Sequence, residues 1–296
     1  MKSGLVSLIG RPNAGKSTLL NRLLGTKLAI VSDKPQTTRR RVLGVKNYPD
    51  AQVVFLDTPG IHRPLHRMNK RMVDAAIETI HEVDVVGLVI DVSTPIGKGD
   101  QFMLDLVKKS EADLFAILNK IDLIRKPRLL PVIEQYSRLE MFSEIVPISA
   151  ATGDNVDRLE RVIIEHLPEG EPRYAPDYLT DQPERFYAAE MVREKVLQFT
   201  HAEIPFASAV VIDRFDESDK SLLKLYCTIV VDRESQKPIL VGRGGEMIKK
   251  IGTAAREELE RRFATRVFLD LHVRVKSDWR EDEGMLTDIG MGQEDE

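Results

Sequence analysis

A glycine-rich segment near the start of the chain has the spacing Gly-x4-Gly-Lys-Ser. It consists of Gly10, Arg11, Pro12, Asn13, Ala14, Gly15, Lys16 and Ser17, followed by Thr18. The apolar run at residues 5–9 predicts a buried strand before it, and the leucines after it predict a helix that ends at Gly25. In such a loop, backbone N–H groups converge on phosphate oxygens, and the helix N-terminus adds partial positive charge. We therefore predict a phosphate site, rather than a chance turn, in which Lys16 reaches the β- and γ-phosphates and Ser17 ligates Mg2+.

A second candidate site follows the apolar run at residues 52–56, which predicts another buried strand. It consists of Asp57, Thr58, Pro59 and Gly60, with Ile61 next, and it begins 41 residues after Lys16. Open α/β sheets bind their ligands at the carboxyl ends of the strands. We therefore predict that Asp57 belongs to the Mg2+ shell and that the Gly60 N–H senses a γ-phosphate. An ordinary turn is the alternative for this tetrapeptide taken alone.

A third group of polar residues could recognise a nucleobase. The strand predicted at residues 113–118 is followed by Asn119, Lys120, Ile121 and Asp122, and the strand predicted at 144–148 is followed by Ser149 and Ala150. The Asp122 carboxylate can accept hydrogen bonds from N1–H and the exocyclic amine of guanine, an edge that adenine lacks. Asn119 would brace the base and the loop, the Lys120 stem would cover a ring face, and a backbone N–H at Ser149 or Ala150 would meet guanine O6. Beside the first two motifs, this pattern favours a guanine site over a solvated polar turn.

Helices and strands alternate between these motifs. Besides the runs already described, strand patterns lie at residues 42–45 and 83–92. Helical patterns lie between or after these strands, at residues 68–81, 101–109 and 156–167. This alternation predicts an α/β domain with a mostly parallel sheet and helices on both faces.

Together the motifs resemble those of translation-factor-class GTPases, and the string Gln36-Thr37-Thr38-Arg39 resembles the first switch loop of the Era family. The resemblance implies GTP or GDP and Mg2+ as cofactors, with Ser17, Thr38 and Asp57 as the metal ligands. Thr37 is the other candidate for the switch threonine. The resemblance also implies that Lys16, Thr38 and Gly60 are the catalytic residues for hydrolysis of GTP to GDP and phosphate.

Two positions bear on how hydrolysis would proceed. Many GTPases place a water-orienting glutamine directly after the glycine of the second motif, whereas this chain has Ile61, which cannot polarise water. Similarity to Era-like enzymes implies slow intrinsic hydrolysis, with help from another group or a partner. Asn13 resembles the asparagine that binds K+ in some relatives, and a loop-stabilising hydrogen bond is the equal alternative.

A second domain is predicted after a proline-containing segment. Pro168, Pro172, Pro176 and Pro183 indicate a semi-rigid linker. A helix at 184–199, strands at 207–215 and 222–232, a helical stretch through Phe263 and a strand at 267–275 follow. Within this stretch, Gly242, Arg243, Gly244 and Gly245 form Gly-x-x-Gly, which we predict to lie between a strand at 239–241 and a helix.

The order α-β-β-α-α-β, with Gly-x-x-Gly framed by Leu240-Val241 and Ile248-Lys249-Lys250-Ile251, resembles a type II, prokaryotic KH domain. Gly-x-x-Gly alone is weak evidence, and a tight turn before a helix is the alternative. The resemblance implies an α+β domain whose loop clamps the backbone of about four single-stranded nucleotides. Arg243, Lys249 and Lys250 would attract phosphates. A GTPase followed by a KH domain resembles the Era family, which implies binding near the 3′ end of small-subunit ribosomal RNA and a role in small-subunit assembly.

Composition limits the remaining choices. The chain of 296 residues has a net charge of −4, but residues 277–296 carry −7, so that residues 1–276 sum to +3. The acidic tail would repel nucleic acid, whereas the body need not. Cys227 lies in an apolar run and is expected to be a buried core residue, so no internal disulfide is expected. Without a signal peptide or a membrane span, the protein is expected in the cytoplasm as a monomer; peripheral contact with the inner membrane stays open.

The predicted boundaries are a P-loop GTPase domain at 1–168, a linker at 169–183, a KH domain at 184–276 and an acidic tail at 277–296 that we expect to be poorly ordered. Two other functions remain as alternatives. One is a phosphotransferase acting on a small molecule, which lacks an acceptor motif here. The other is an RNA-binding module with a vestigial nucleotide fold, against which the intact Lys16, Ser17 and Asp57 argue.

Overall fold

A computed structural model describes residues 1–60 and 66–292. Ile61, which we predicted to contact the nucleotide, and residues 293–296 of the acidic tail lie outside the described residues. The backbone divides into two compact units. The first consists of Met1–Leu65 and Asn69–Asp181, and the second of His66–Met68 and Gln182–Glu296.

The first unit is built on one six-stranded sheet. Its strands are β1 (Lys2–Gly10), β2 (Val42–Tyr48), β3 (Ala51–Asp57), β4 (Val85–Asp91), β5 (Asp113–Asn119) and β6 (Glu144–Pro147). They lie in the order β2-β3-β1-β4-β5-β6. Only the β2–β3 pair is antiparallel, so the predicted mostly parallel sheet is confirmed. All parallel strands end at one edge, where the polar motifs follow β1, β3 and β5.

Helices cover both faces of this sheet. They are α1 (Lys16–Leu24), α2 (Arg67–His81), α3 (Lys98–Val107), α4 (Lys126–Ser137) and α5 (Val156–His166). Leucines of α1 and α5 pack with Val6 and Leu8 on one face. On the other face, residues of α2, α3 and α4 pack with Ile9 and its neighbours. Because β1 side chains alternate between two buried cores, the strand has apolar residues on both of its faces: Val6 and Leu8 on one, Leu5 and Ile9 on the other.

The proline-containing segment belongs to the first unit through Asp181 and is bonded to its sheet. The N–H groups of Arg173 and Tyr174 donate to Gln52 Oε1 at 2.7 and 3.0 Å, and Gln52 Nε2 donates to the Tyr174 carbonyl at 2.8 Å. Further along, the Val45 N–H donates to the Leu179 carbonyl at 2.8 Å. Residues 171–181, which we call the sheet-edge segment, therefore satisfy polar groups of β2 and β3.

The second unit contains three strands and five α-helices within its described residues. Its helices are α6 (Glu184–Phe199), α7 (Ile204–Ala207), α8 (Lys237–Val241), α9 (Glu246–Phe263) and α10 (Glu283–Asp288), and its strands are β7 (Ser208–Asp219), β8 (Leu222–Val231) and β9 (Arg266–Val275). The strand order is β7-β8-β9, with β7 antiparallel and β9 parallel to β8. The order of elements fits a type II KH domain. The strand expected at 239–241 is wrong, because these residues form helix α8 and their apolar run buries Leu240.

Within the acidic tail, Trp279–Glu281 form a 3-10 turn and Glu283–Asp288 form α10, so our expectation of a poorly ordered tail is wrong for these residues. Trp279 is fully buried, and its Nε1 donates to the Ala207 carbonyl at 2.9 Å. Asp282 caps α10 by accepting a hydrogen bond from the Met285 N–H at 2.8 Å. Four apolar side chains of this stretch are buried in spite of the acidic residues between them: Trp279, Met285, Leu286 and Met291.

Cys227 is buried, as expected, and burial raises the pKa of its thiol to about 12. The thiol is therefore uncharged near neutral pH and chemically inert. Among the described residues, no helix has both the length and the apolar character needed to cross a membrane.

Candidate functional site

The phosphate loop, residues 10–17, surrounds the buried amine of Lys16. The Lys16 Nζ donates to the carbonyls of Gly10 and Arg11 at 3.1 and 3.2 Å. Burial lowers the pKa of Lys16, and the nearby Asp57 carboxylate opposes that shift. Gly15 has φ +98°, and a Cβ there would lie 2.3 Å from Asn119 Nδ2. A side chain at position 15 would therefore clash with Asn119, so only glycine fits there.

A cavity of about 340 Å³ opens beside this loop. Its lining includes Pro12, Asn13, Gly15, Lys16, Ser17, Thr18, Thr37, Thr38, Gly60 and Lys120. Two loop residues point elsewhere: Ala14 is buried, and Arg11 forms an ion pair with Asp100 at 2.7 Å near the start of α3. The cavity therefore joins residues of the first and second motifs with the switch threonines.

Three oxygen-bearing side chains meet at one side of this cavity. The Ser17 hydroxyl donates to Asp57 Oδ2 at 2.7 Å and lies 2.7 Å from the Thr38 hydroxyl, which donates to the same carboxylate oxygen at 3.2 Å. Thr37 instead donates to the Lys34 carbonyl at 2.6 Å. The three residues expected to hold a metal are thus brought together, and Thr38 rather than Thr37 joins Ser17 and Asp57.

The buried carboxylate of Asp57 suits a cation. Asp57 is 0% exposed, and its Oδ1 has no hydrogen-bond partner among the described residues. Burial raises the pKa of Asp57, while Lys16, Ser17 and Thr38 pull it back. A buried carboxylate oxygen without a partner is costly, and two hydroxyls and a carboxylate are the hard oxygen ligands that Mg2+ prefers. These residues therefore fit a magnesium ion.

The rest of the second motif is held by β1 and the phosphate loop. Thr58 is buried and donates to the Leu8 carbonyl at 3.0 Å, so its hydroxyl points into the sheet rather than the cavity. Pro59 is also buried. Gly60 lines the cavity, and a Cβ there would come within 3.0 Å of Pro12. The Gly60 backbone therefore lies directly against the phosphate loop.

Asn119 links the phosphate loop to the third motif. Its Nδ2 donates to the Ala14 carbonyl at 2.8 Å, and its Oδ1 accepts from the Ala150 N–H at 2.9 Å. We expected the N–H of Ser149 or of Ala150 to face guanine O6; in this structure the Ala150 N–H donates to Asn119 and the Ser149 N–H donates to the Asp154 carbonyl at 3.0 Å. Asp122 is exposed in a short 3-10 turn, and Ser149 is buried. The arrangement joins three loops through one amide side chain.

Two further residues support this end of the site. Lys120 Nζ forms an ion pair with Asp91 at 2.6 Å. Arg22 of α1 donates to the Ala150 carbonyl at 3.3 Å and to the Ala151 carbonyl at 2.5 Å. Asp91 ends strand β4, so the rule that singled out Asp57 could have found it. Arg22 has no sequence signal, because its role depends on a contact between residues far apart in the chain.

The glycine loop of the second unit, residues 242–245, turns directly into α9. Gly244 and Gly245 have φ +60° and +84°, and a Cβ at either would meet nothing within 4 Å. Gly242, with φ +74°, instead lies against Met247, whose backbone nitrogen would be 2.7 Å from an added Cβ. Arg243, Lys249 and Lys250 are exposed around this loop. The loop thus offers open backbone beside three cations.

Comparisons with known proteins found matches for both units of the chain. A family model described as "50S ribosome-binding GTPase" matches residues 5–120, and a KH domain model matches residues 203–280. GTPase Era of Geotalea daltonii is 50% identical over 288 residues, covering 97% of each chain. GTPase Era of Syntrophus aciditrophicus is 49% identical and covers 99% of this chain.

The chain belongs to the Era family of GTPases.

Solved Era structures share the fold over nearly the whole chain. A variant of Aquifex aeolicus Era bound to GDP and aluminium fluoride is 41% identical, with a TM-score of 0.94 over 99% of this chain. Another Era structure, in complex with MgGDPNP and nucleotides 1506–1542 of 16S ribosomal RNA, is 42% identical with a TM-score of 0.95. This Era-family chain is therefore a GTPase with a P-loop domain followed by a KH domain.

Proposed function

We propose that this Era-family chain is a GTP-driven switch that controls binding of single-stranded RNA near the 3′ end of small-subunit ribosomal RNA, and that it acts in the cytoplasm in assembly of the small ribosomal subunit. The observation that carries the proposal is the meeting of Ser17, Thr38 and Asp57 beside Lys16. Further support comes from an Era relative that was solved with both MgGDPNP and 16S ribosomal RNA.

Nucleotide binding follows from the charges and donors around the cavity. The phosphate loop and the buried Lys16 would bind the β- and γ-phosphates, because backbone N–H groups at a helix N-terminus and a lysine ammonium both attract phosphate oxygens. Ser17, Thr38 and Asp57 would hold Mg2+, which neutralises charge on the transferred phosphoryl group. Thr38 would respond to GTP, since it lies outside the phosphate loop and would join Ser17 and Asp57 around the metal. At the other end, Asp122 would read guanine while Asn119 fixes the loops and Lys120 covers the ring.

Hydrolysis would depend on Lys16, Thr38 and the Gly60 N–H, with no glutamine after Gly60. A K+ ion bound at Asn13 would add positive charge beside the phosphates of GTP and so would assist hydrolysis in a chain that has no glutamine after Gly60. Asn13 Nδ2 donates to the Asp33 carbonyl at 2.6 Å, which ties the phosphate loop to the loop before Thr38. That contact also fits the simpler alternative of a structural hydrogen bond, so the choice between them needs a measurement.

RNA would bind at the glycine loop. The open space around Gly244 and Gly245 lets a sugar–phosphate backbone approach closely, and Arg243, Lys249 and Lys250 would add phosphate attraction. The nucleotide state would change this binding by changing the loop that carries Thr38.

Exchange of Gly245 for aspartate tests the RNA half of the proposal in the full chain. Gly245→Asp should lose RNA binding and keep its GTP affinity, because it puts bulk and negative charge where phosphates pass. The salt dependence should also flatten, since each lost phosphate contact removes roughly 0.7 from the log–log slope for single strands. RNA binding is measured by fluorescence anisotropy without nucleotide, and GTP binding separately.

Two variants serve as controls. Gly245→Asn has nearly the same size and tolerates positive φ equally well, so it should bind RNA better than Gly245→Asp. Lys16→Ala should lose nucleotide affinity and keep nucleotide-free RNA binding. A folded Gly245→Asp chain with wild-type RNA affinity and salt slope would refute the clamp.

A further inference from the structure

The side chain of Arg11 links the phosphate loop to helix α3. Its guanidinium donates to Asp100 Oδ2 at 2.7 Å, across 89 positions of the sequence. Asp100 is buried, and the Arg11 side chain is 41% exposed. The Arg11 stem lies directly against the first turn of α3, since a Cβ on Gly99 would lie 3.1 Å from Arg11 Nε and 3.3 Å from its Cδ. This bond therefore joins two elements of the first unit that are far apart in the sequence.

Asp100 is held in place by its own helix. It is the third residue of α3, and its Oδ2 also accepts from the N–H of Gly97, the residue before the helix, at 2.8 Å. The helix dipole attracts a carboxylate in this first turn. The buried Tyr136 lies close to both charges of the pair: burial raises its pKa to about 12, Asp100 adds to the rise and Arg11 opposes it. The ion pair thus borders the apolar core, where salt screens it less than at the surface.

The backbone of Arg11 holds Lys16. The Arg11 carbonyl accepts from Lys16 Nζ at 3.2 Å and from the Ala14 N–H at 3.3 Å. Both distances lie at the long end of the usual range for such bonds, so they constrain the Arg11 peptide weakly. The ion pair of the Arg11 side chain with Asp100 adds a strong, charge-assisted anchor to the same residue.

We propose that Asp100 is a positioning residue for GTP hydrolysis: through Arg11 it fixes the peptide whose carbonyl directs the Lys16 ammonium toward the phosphates. It rests on the proposed role of Lys16 at the β- and γ-phosphates. A fixed cation accelerates the reaction where charge develops in the transition state, whereas the loop N–H groups bind the β-phosphate without it. Loss of the anchor should therefore slow turnover far more than it weakens binding of MgGDP.

Two variants of the full chain break the ion pair from opposite sides. Asp100→Asn removes the charge and keeps an oxygen that accepts from the Gly97 N–H, so that α3 stays capped. Arg11→Met keeps an unbranched stem against Gly99 and leaves α3 unchanged. Each should lower phosphate release at saturating GTP about tenfold, within the roughly hundredfold that a misplacement of about 1 Å can cost. Each should change the affinity for MgGDP much less.

The double variant separates positioning of the loop from simple support of α3. If Asp100 acts through Arg11, adding Asp100→Asn to Arg11→Met should lower turnover no further. Losses that multiply would overturn the proposal, because Asp100 would then act independently of Arg11. Wild-type turnover in both single variants, with folding checked by thermal unfolding, would overturn it as well.

Asp105→Asn is the matched control, since it makes the same exchange at an exposed position of the same helix. The Asp105 carboxylate accepts from Gln101 at 3.1 Å, one turn away on the surface of α3. This variant should keep the turnover and the MgGDP affinity of the wild type. A loss of turnover equal to that of Asp100→Asn would show that any lost charge on α3 has the effect, and would overturn the specific role of Asp100.

Lys16→Ala distinguishes failure of this inference from failure of the proposed function. We expect it to lose more turnover than either ion-pair variant. If Lys16→Ala loses turnover while Asp100→Asn and Arg11→Met both match the wild type, the nucleotide site stands and the positioning role is wrong. If Lys16→Ala also matches the wild type, the proposed role of Lys16 fails, and the positioning role fails with it.

Discussion

Asp57 shows how much of the site depends on one residue. Its Oδ2 accepts from both Ser17 and Thr38, while its Oδ1 is buried without a partner among the described residues. Both features are explained if the carboxylate serves a cation, because a metal supplies the missing contact for Oδ1. A metal held by Thr38, Ser17 and Asp57 would then connect the loop that carries Thr38 to the end of β3.

Base choice is predicted to depend on Asp122. Asp122→Asn should weaken GTP binding and favour xanthosine triphosphate, because the amide presents a donor where guanine needs a second acceptor. Sites built on such hydrogen bonds discriminate by about 10^4. Competition between the two nucleotides for the wild-type and variant chains measures the change. GTP affinity equal to that of the wild type would show that Asp122 does not read the base.

The role of Asn13 can be decided by changing the monovalent cation. If Asn13 helps to bind K+, GTP turnover should rise when K+ replaces Na+ at equal ionic strength, and Asn13→Ala should remove the difference. Ile61 cannot orient the attacking water, and a bound cation would assist hydrolysis in another way, by neutralising charge on the phosphates. Steady-state phosphate release measures the rates. Equal rates in both salts would leave Asn13 with its hydrogen bond to Asp33 alone.

Among the elements, the sheet-edge segment of residues 171–181 has a measurable effect on stability. Gln52 is 0% exposed and bonds three backbone groups of Arg173 and Tyr174. Gln52→Ala should lower the free energy of opening of this region by about 2–4 kcal/mol, since it removes these three hydrogen bonds and each contributes about 0.5–1.5 kcal/mol. Hydrogen exchange at Arg173, Tyr174 and β3 reports it separately from the second unit.

Gln135→Ala is the matched control, because Gln135 is exposed on α4. It should leave the exchange of Arg173 and Tyr174 unchanged. Wild-type exchange rates at these amides in Gln52→Ala would mean that the segment is held by other contacts.

Elements that carry an apolar period or a motif were predictable, and those defined by distant contacts were not. Strands β1, β3 and β5 were found because buried parallel strands are continuous apolar runs. Helix α4 was missed because Pro131 lies inside it and most of its residues are exposed. The order of the tail was missed because it depends on Trp279 reaching Ala207, 72 residues earlier in the chain.

In the candidate site, too, residues that belong to a motif were predictable, and those defined by distant contacts were not. Glycine and lysine spacing predicted the phosphate loop, and the ends of strands predicted Asp57 and Asn119. The choice of Thr38 over Thr37 needed coordinates, since adjacent threonines have equal chemistry and differ only in direction. The Lys120–Asp91 ion pair and the bonds of Arg22 also needed them.

For the whole molecule, the central claim is that the nucleotide state controls the RNA grip. Such coupling between two sites is typically 5- to 150-fold in affinity. It needs the GTPase half to distinguish GTP from GDP through Thr38, and the KH half to bind differently in the two states. Neither the GTPase domain nor the KH domain could show this coupling by itself.

The most direct test measures the affinity of the full chain for single-stranded RNA of the 16S 3′ end with MgGDPNP and with MgGDP, at one salt concentration. We predict that the chain binds RNA about fivefold or more tightly with MgGDPNP than with MgGDP. Because coupling is reciprocal, bound RNA should raise the affinity for MgGDPNP relative to MgGDP by the same factor. Equal RNA affinities in the two nucleotide states would contradict the switch, even if GTP hydrolysis and RNA binding were each present.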